Sequence, residues 1–139
     1  MTTTTFTLPR TGMMPITFSG ELIGSVSGHD LPKWERRERW HELSLYVAAN
    51  GRVIVHCAFR TTSKYEVEND QVRTFESMVD AVRWLWGWHE TESCIKCVQG
   101  WRLERHQQRD AALRRELTNQ FGTLVKMLVA MVPQAAANP

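Results

Sequence analysis

The side chains in this sequence best suited to holding a metal are His89, Cys94, Cys97 and His106. A Cys-x-x-Cys pair flanked by histidines supplies the thiolate and imidazole donors that tetrahedral Zn²⁺ favours. The spacing, His-x4-Cys-x2-Cys-x8-His, fits none of the common zinc modules. A competing reading places Cys94 and Cys97 one helical turn apart beside Val98 and Trp101, as small buried thiols on a helix face. The second reading is preferred, so no cofactor is expected and zinc binding is kept as an alternative.

Other chemistries find less to work with. A redox Cys-x-x-Cys belongs at a helix N-terminus in a βαβ context, and no parallel unit is apparent. A zinc deaminase needs His-x-Glu well upstream of its cysteine pair, whereas His89 stands five residues from Cys94 and Thr91 occupies the Glu position. There is no Gly-x-Ser-x-Gly elbow, phosphate-cradling loop or dinucleotide fingerprint. Cys57 follows His56, but adjacent strand residues point to opposite faces, which predicts a core cysteine beside an exposed histidine. No catalytic residue is assigned, and the chain is not expected to be an enzyme.

Surfaces for binding are easier to find. Arg102, Arg105 and Arg109 share one helical face with His106 beside them, and Arg114 and Arg115 extend the basic character. Such a row suits phosphates or an acidic protein surface, although Glu104, Asp110 and Glu116 relieve it through spaced ion pairs. Trp34 and Trp40 bracket Arg36 and Arg37, the residue types that interface hot spots use. Glu66, Glu68 and Asp70 form an acidic stretch opposed to the basic one, a segregation that orients a protein partner. Trp84, Trp86 and Trp88 are spread by about 200° per step on an α-helix, so one of them at least must point away from the core. The partner-binding residues expected are Trp34, Arg36, Arg37, Trp84, Trp88, Arg102, Arg105 and Arg109.

These side chains need a scaffold, and the chain is long enough to bury a core of its own at 139 residues. The net charge of +2 is too small to argue for nucleic acid by itself. No apolar run reaches the length of a membrane-spanning helix, and Met1 to Thr5 lack the pattern of a secretory signal. Three cysteines, an odd and small number, fit a reducing compartment, so a cytoplasmic location is expected.

The elements divide by period. Residues 1–14, Thr-rich with Pro9 and Gly12, read as a loose lead-in or an edge segment. Ile16 to Ile23 read as a strand whose alternation breaks at Gly20, where a bulge would restore register. Ser25 to Pro32 look turn-like. Leu43, Leu45 and Val47 alternate with polar residues, and Val53, Val55, Cys57 and Phe59 do so beyond Asn50-Gly51. That pair suits a type I′ turn, so a β-hairpin is predicted. Gln71 to Phe75 could add a further short strand. From Phe75 onward the period turns helical. Ser77 with Asp80 resembles a capping box, and Val79, Val82, Leu85 and Trp86 follow at helical spacing to an end near Gly87 or His89. A second helical stretch runs from near Ser93 to Val132, as one helix or two, with Leu113, Leu117, Phe121, Leu124, Leu128 and Val132 on one stripe. Gly100 and Gly122 are candidate breaks, and residues 133–139 read as a frayed tail. The expectation is an α+β fold in one domain: an antiparallel sheet of three to four strands over 15–75, packed against two or three helices over 76–132.

The stretch from Phe18-Ser19-Gly20-Glu21-Leu22 through Arg39-Trp40-His41-Glu42-Leu43 to Phe75 resembles small proteins carried by phages and plasmids. With the size and the missing active site, it is similar in kind to anti-CRISPR proteins, which bind and disable subunits of CRISPR surveillance complexes. Those share no fold or motif, so no residue role carries over, and the basic charge departs from their frequent acidity. The resemblance implies an inhibitor from a mobile element whose partner is a protein subunit of such a complex. The alternatives are a nucleic-acid-binding regulator using the arginine row, or a small zinc protein. The long apolar stripe also allows a homodimer through the C-terminal helix.

Overall fold

The computed structural model describes residues 3–30, 39–62, 68–87 and 103–133, and of residues 103–114 the backbone alone. Among the described residues five strands come first: β1 (Thr4–Arg10), β2 (Met13–Ser27), β3 (Arg39–Ala48), β4 (Val53–Thr61) and β5 (Asn69–Phe75). A short 3₁₀ turn, Gly28–Asp30, follows β2. Helices α1 (Met78–Gly87) and α2 (Leu103–Ala130) come after the sheet. Every neighbouring pair is antiparallel and the strands lie in sequence order, a curled meander. The fold is therefore α+β, with the sheet N-terminal to the helices.

The sheet has five strands rather than three or four because, of the two readings of the N-terminal residues, the edge segment holds and the loose lead-in does not. In β1 the β-branched threonines alternate with Phe6 and Leu8, whose apolar face meets Phe18 and Ile16 across the ladder. β2 is also longer than its alternation suggested, since Ser25 to Ser27 pair with Ser44 to Glu42 instead of turning. Its register break lies at Ile23, between the Leu22–Tyr46 and Gly24–Leu45 pairs, not at Gly20. Gly24 is small for a packing reason: a Cβ there would meet Met131 Sδ at 2.6 Å.

The β3–β4 hairpin stands where alternation put it, but its turn differs. Only Gly51 has a positive φ, 87°, and the N–H of Gly51 donates to Ala48 O at 2.9 Å. The loop is thus a three-residue turn closing on a glycine bulge, with Asn50 in an ordinary conformation and its Oδ1 accepting the N–H of Arg52 at 3.0 Å.

Alternation along β3 and β4 builds two apolar clusters. Leu43, Leu45, Val53, Val55 and Cys57 face the helices and pack with Ala81 and Leu85 of α1 and Phe121, Leu124, Val125 and Leu128 of α2. Tyr46, Ala48 and Ile54 face the inside of the curl, where Leu8, Phe6, Ile16, Phe18 and Val72 cover them. The predicted stripe on the second helix holds from Leu117 to Val132, and α2 runs unbroken through Gly122. Ser77 caps α1, its Oγ accepting the N–H of Asp80 at 3.2 Å.

Candidate functional site

Two groups of polar and aromatic side chains are candidates, and the strands set both. The first lies inside the curl, where Glu42 of β3, His56 and Arg60 of β4 and Asp70 of β5 share a face. Arg60 grips Asp70 with both terminal nitrogens, Nη1 to Oδ2 at 2.9 Å and Nη2 to Oδ1 at 2.7 Å. His56 Nε2 bonds the same Oδ1 at 2.8 Å, and Arg60 Nε lies 3.4 Å from Glu42 Oε1. Burial alone would raise the Asp70 carboxyl, but the hydrogen bonds from Arg60 and His56 outweigh it and hold Asp70 below its ordinary value.

A carboxylate so engaged is a poor proton acceptor for a substrate, because both oxygens already serve strong donors. The cluster acts as a brace across β3, β4 and β5. Two expectations change here. Asp70 was expected on an acidic loop surface, yet it belongs to β5 and its charge is spent on Arg60 and His56; Glu66 lies outside the described residues. His56 was expected exposed but is half-buried against Asp70, while Cys57 is buried on the opposite face as expected.

The second group spans β5 and α1. Trp84 packs on Phe75 with ring centroids 5.5 Å apart, and the Arg73 guanidinium lies 5.7 Å over the Trp84 ring. Leu85 enters the core, so the neighbouring tryptophans leave on opposite flanks of α1: Trp84 toward β5, and Trp86 into solvent at 49% exposure. Trp86 was expected on the apolar stripe with Val79, Val82 and Leu85, but the buried face of α1 is Met78, Ala81 and Leu85. Trp86 is a tryptophan that points away, as the helical spacing of Trp84, Trp86 and Trp88 requires of at least one. Arg73 was not among the expected binding residues. The alternation of Arg73 and Phe75 on one face of a short strand is the signal that would have found it.

Of the binding residues read from sequence, Trp34, Arg36, Arg37, Trp88 and Arg102 lie outside the described residues, as do His89, Cys94 and Cys97 of the metal reading. Arg105, His106 and Arg109 fall on the described backbone of α2, but their side chains lie outside the description. Trp84 alone of these candidates has a described site. Among the described residues, no three His, Cys, Asp or Glu side chains gather to hold a metal ion, and no helix is long and apolar enough to cross a membrane.

Comparison with protein-family models, with curated proteins and with solved structures finds no match to the chain.

Proposed function

We propose that this protein is not an enzyme and acts by binding another protein, with Trp86 as an anchor of the contact. The observation that carries this reading is the 49% exposure of Trp86 on a helix whose adjacent Leu85 is fully buried. Leaving about half of an indole in water forgoes roughly 2–3 kcal/mol of burial, using 150–250 Å² for an aromatic side chain and about 25 cal/mol per Å². A partner recovers that term, which is why exposed tryptophan is enriched among hot spots. The saturated carboxylate of Asp70 in the His56–Asp70–Arg60 brace supports the non-catalytic half of the proposal. On the resemblance of residues 18–75, the partner we propose is a protein subunit of a host defence complex, which makes the protein an inhibitor of the anti-CRISPR kind.

The test is a tagged pull-down from bacterial lysate, with and without nuclease, comparing the natural chain with Trp86→Ala. The expected result is a defined protein that survives nuclease and falls at least tenfold with Trp86→Ala, while circular dichroism of the variant is unchanged. Retained material that vanishes with nuclease would overturn the proposal in favour of nucleic acid, and an equal yield from both chains would remove Trp86 from the contact.

A further inference from the structure

Among the described residues, the outer edge of β5 is open at Val72 and Thr74. Asp70 sits opposite Ala58 of β4, yet its N–H donates to Thr11 Oγ1 at 2.7 Å and its carbonyl accepts the Thr11 N–H at 2.9 Å. Both backbone groups of Asp70 therefore point away from β4. These groups alternate sides along a strand, so Gln71, Arg73 and Phe75 bond β4, while Val72 and Thr74 point outward as Asp70 does. Thr11, in the turn between β1 and β2, meets Asp70; among the described residues no backbone bond reaches Val72 or Thr74. Two N–H and two C=O groups thus stand in the spacing that an added extended strand would satisfy.

Charge decides which strand fits. A second copy could use all four groups only by pairing Val72 with Thr74 of the copy about a two-fold axis at Arg73. That sets Arg73 directly opposite its counterpart, and like charges opposite one another destabilise a ladder. Each guanidinium is also already drawn over its own Trp84 at 5.7 Å, which fixes the positive charge at this edge. An acidic residue in a foreign strand would turn the same position into an ion pair.

We propose that the β5 edge binds an extended segment of a partner protein by antiparallel strand addition. Its central acidic residue lies opposite Arg73, between β-branched residues opposite Val72 and Thr74. Backbone bonds supply the attachment and Arg73 supplies the selection. This rests on the reading that the protein binds another protein, and it names the kind of segment taken.

The probes are two blocked peptides, Thr-Val-Glu-Val-Thr and Thr-Val-Lys-Val-Thr, titrated into the full-length ¹⁵N-labelled protein. The amide resonances of Val72 and Thr74 should shift, with the glutamate peptide binding at least tenfold tighter, and Arg73→Glu should reverse the preference. Thr74→Pro removes an outward N–H and leaves the β4 ladder intact, so it should abolish binding with an unchanged circular dichroism spectrum. Equal binding of both peptides, or no shift at these amides up to millimolar peptide, would overturn the proposal. So would a dimer of the natural chain in sedimentation that Thr74→Pro dissociates, since the edge would then belong to a second copy. The peptide titration reads β5 and the lysate experiment reads Trp86 on the other flank of α1, so either can fail while the other holds.

Discussion

Gln120 and His41, 79 residues apart in the chain, are joined by a buried hydrogen bond in which Gln120 Oε1 accepts the backbone N–H of His41 at 3.1 Å. The bond stands where β2 ends. Ser27 pairs with Glu42, and at Gly28 the chain turns into the 3₁₀ segment, leaving the next amide of β3 without its ladder partner. A side chain from α2 takes the place of the missing strand. Gly28 allows it, since a Cβ there would collide with the Gln120 carboxamide.

Gln120→Leu keeps the volume and removes the acceptor, so the His41 amide is buried unsatisfied. The expected cost is about 1–3 kcal/mol, read as a lower urea midpoint with an unchanged slope. A midpoint that does not move would mean that α2 is held by its apolar stripe alone.

His41 itself, fully buried between Phe59 and Phe121 with ring centroids 5.4 Å away on each side, has its pKa lowered by burial to about 4. The unfolded chain takes up this proton near pH 6.5 and the folded one only near 4, so folding stability falls as pH drops between those values. The full loss is about 3 kcal/mol, and it saturates below the folded value. His41→Leu should flatten that part of the stability curve relative to the natural chain. Parallel curves for the two proteins between pH 4 and 6.5 would show that His41 is not the group responsible.

Asp70 titrates lower. Its folded value is depressed by Arg60 and His56, so its contribution is present above the ordinary carboxylate range and is lost as pH falls through the folded value. Asp70→Asn should cost about 1.5–3 kcal/mol at neutral pH, the range for hydrogen bonds to a charged group. The backbone bonds between Thr11 and Asp70 do not use the carboxylate, so slow hydrogen exchange at the Asp70 amide should survive the substitution. An unchanged melting temperature for Asp70→Asn would show that the brace contributes nothing net.

Local pattern by itself determined the β3–β4 hairpin, the cap at Ser77, the stripe from Leu117 to Val132 and the order of sheet before helices. Each rests on side-chain period or on residues a few positions apart, and such spacing is visible in a one-dimensional string. The turn at Asn50-Gly51 was located but mistyped as I′, because Asn tolerates both signs of φ and strand register makes the choice. β1 was left open between a loose lead-in and an edge segment by its threonines and Pro9, since an edge strand with one apolar face of two residues gives little periodicity to detect. What only the tertiary structure decided is which distant groups meet: Gln120 with His41, Arg60 with Asp70, Arg73 with Trp84. Those contacts depend on where β2 leaves the sheet and how far the meander curls. The physical reason is that both follow from packing summed over the whole core rather than from the preferences of the residues that end up touching.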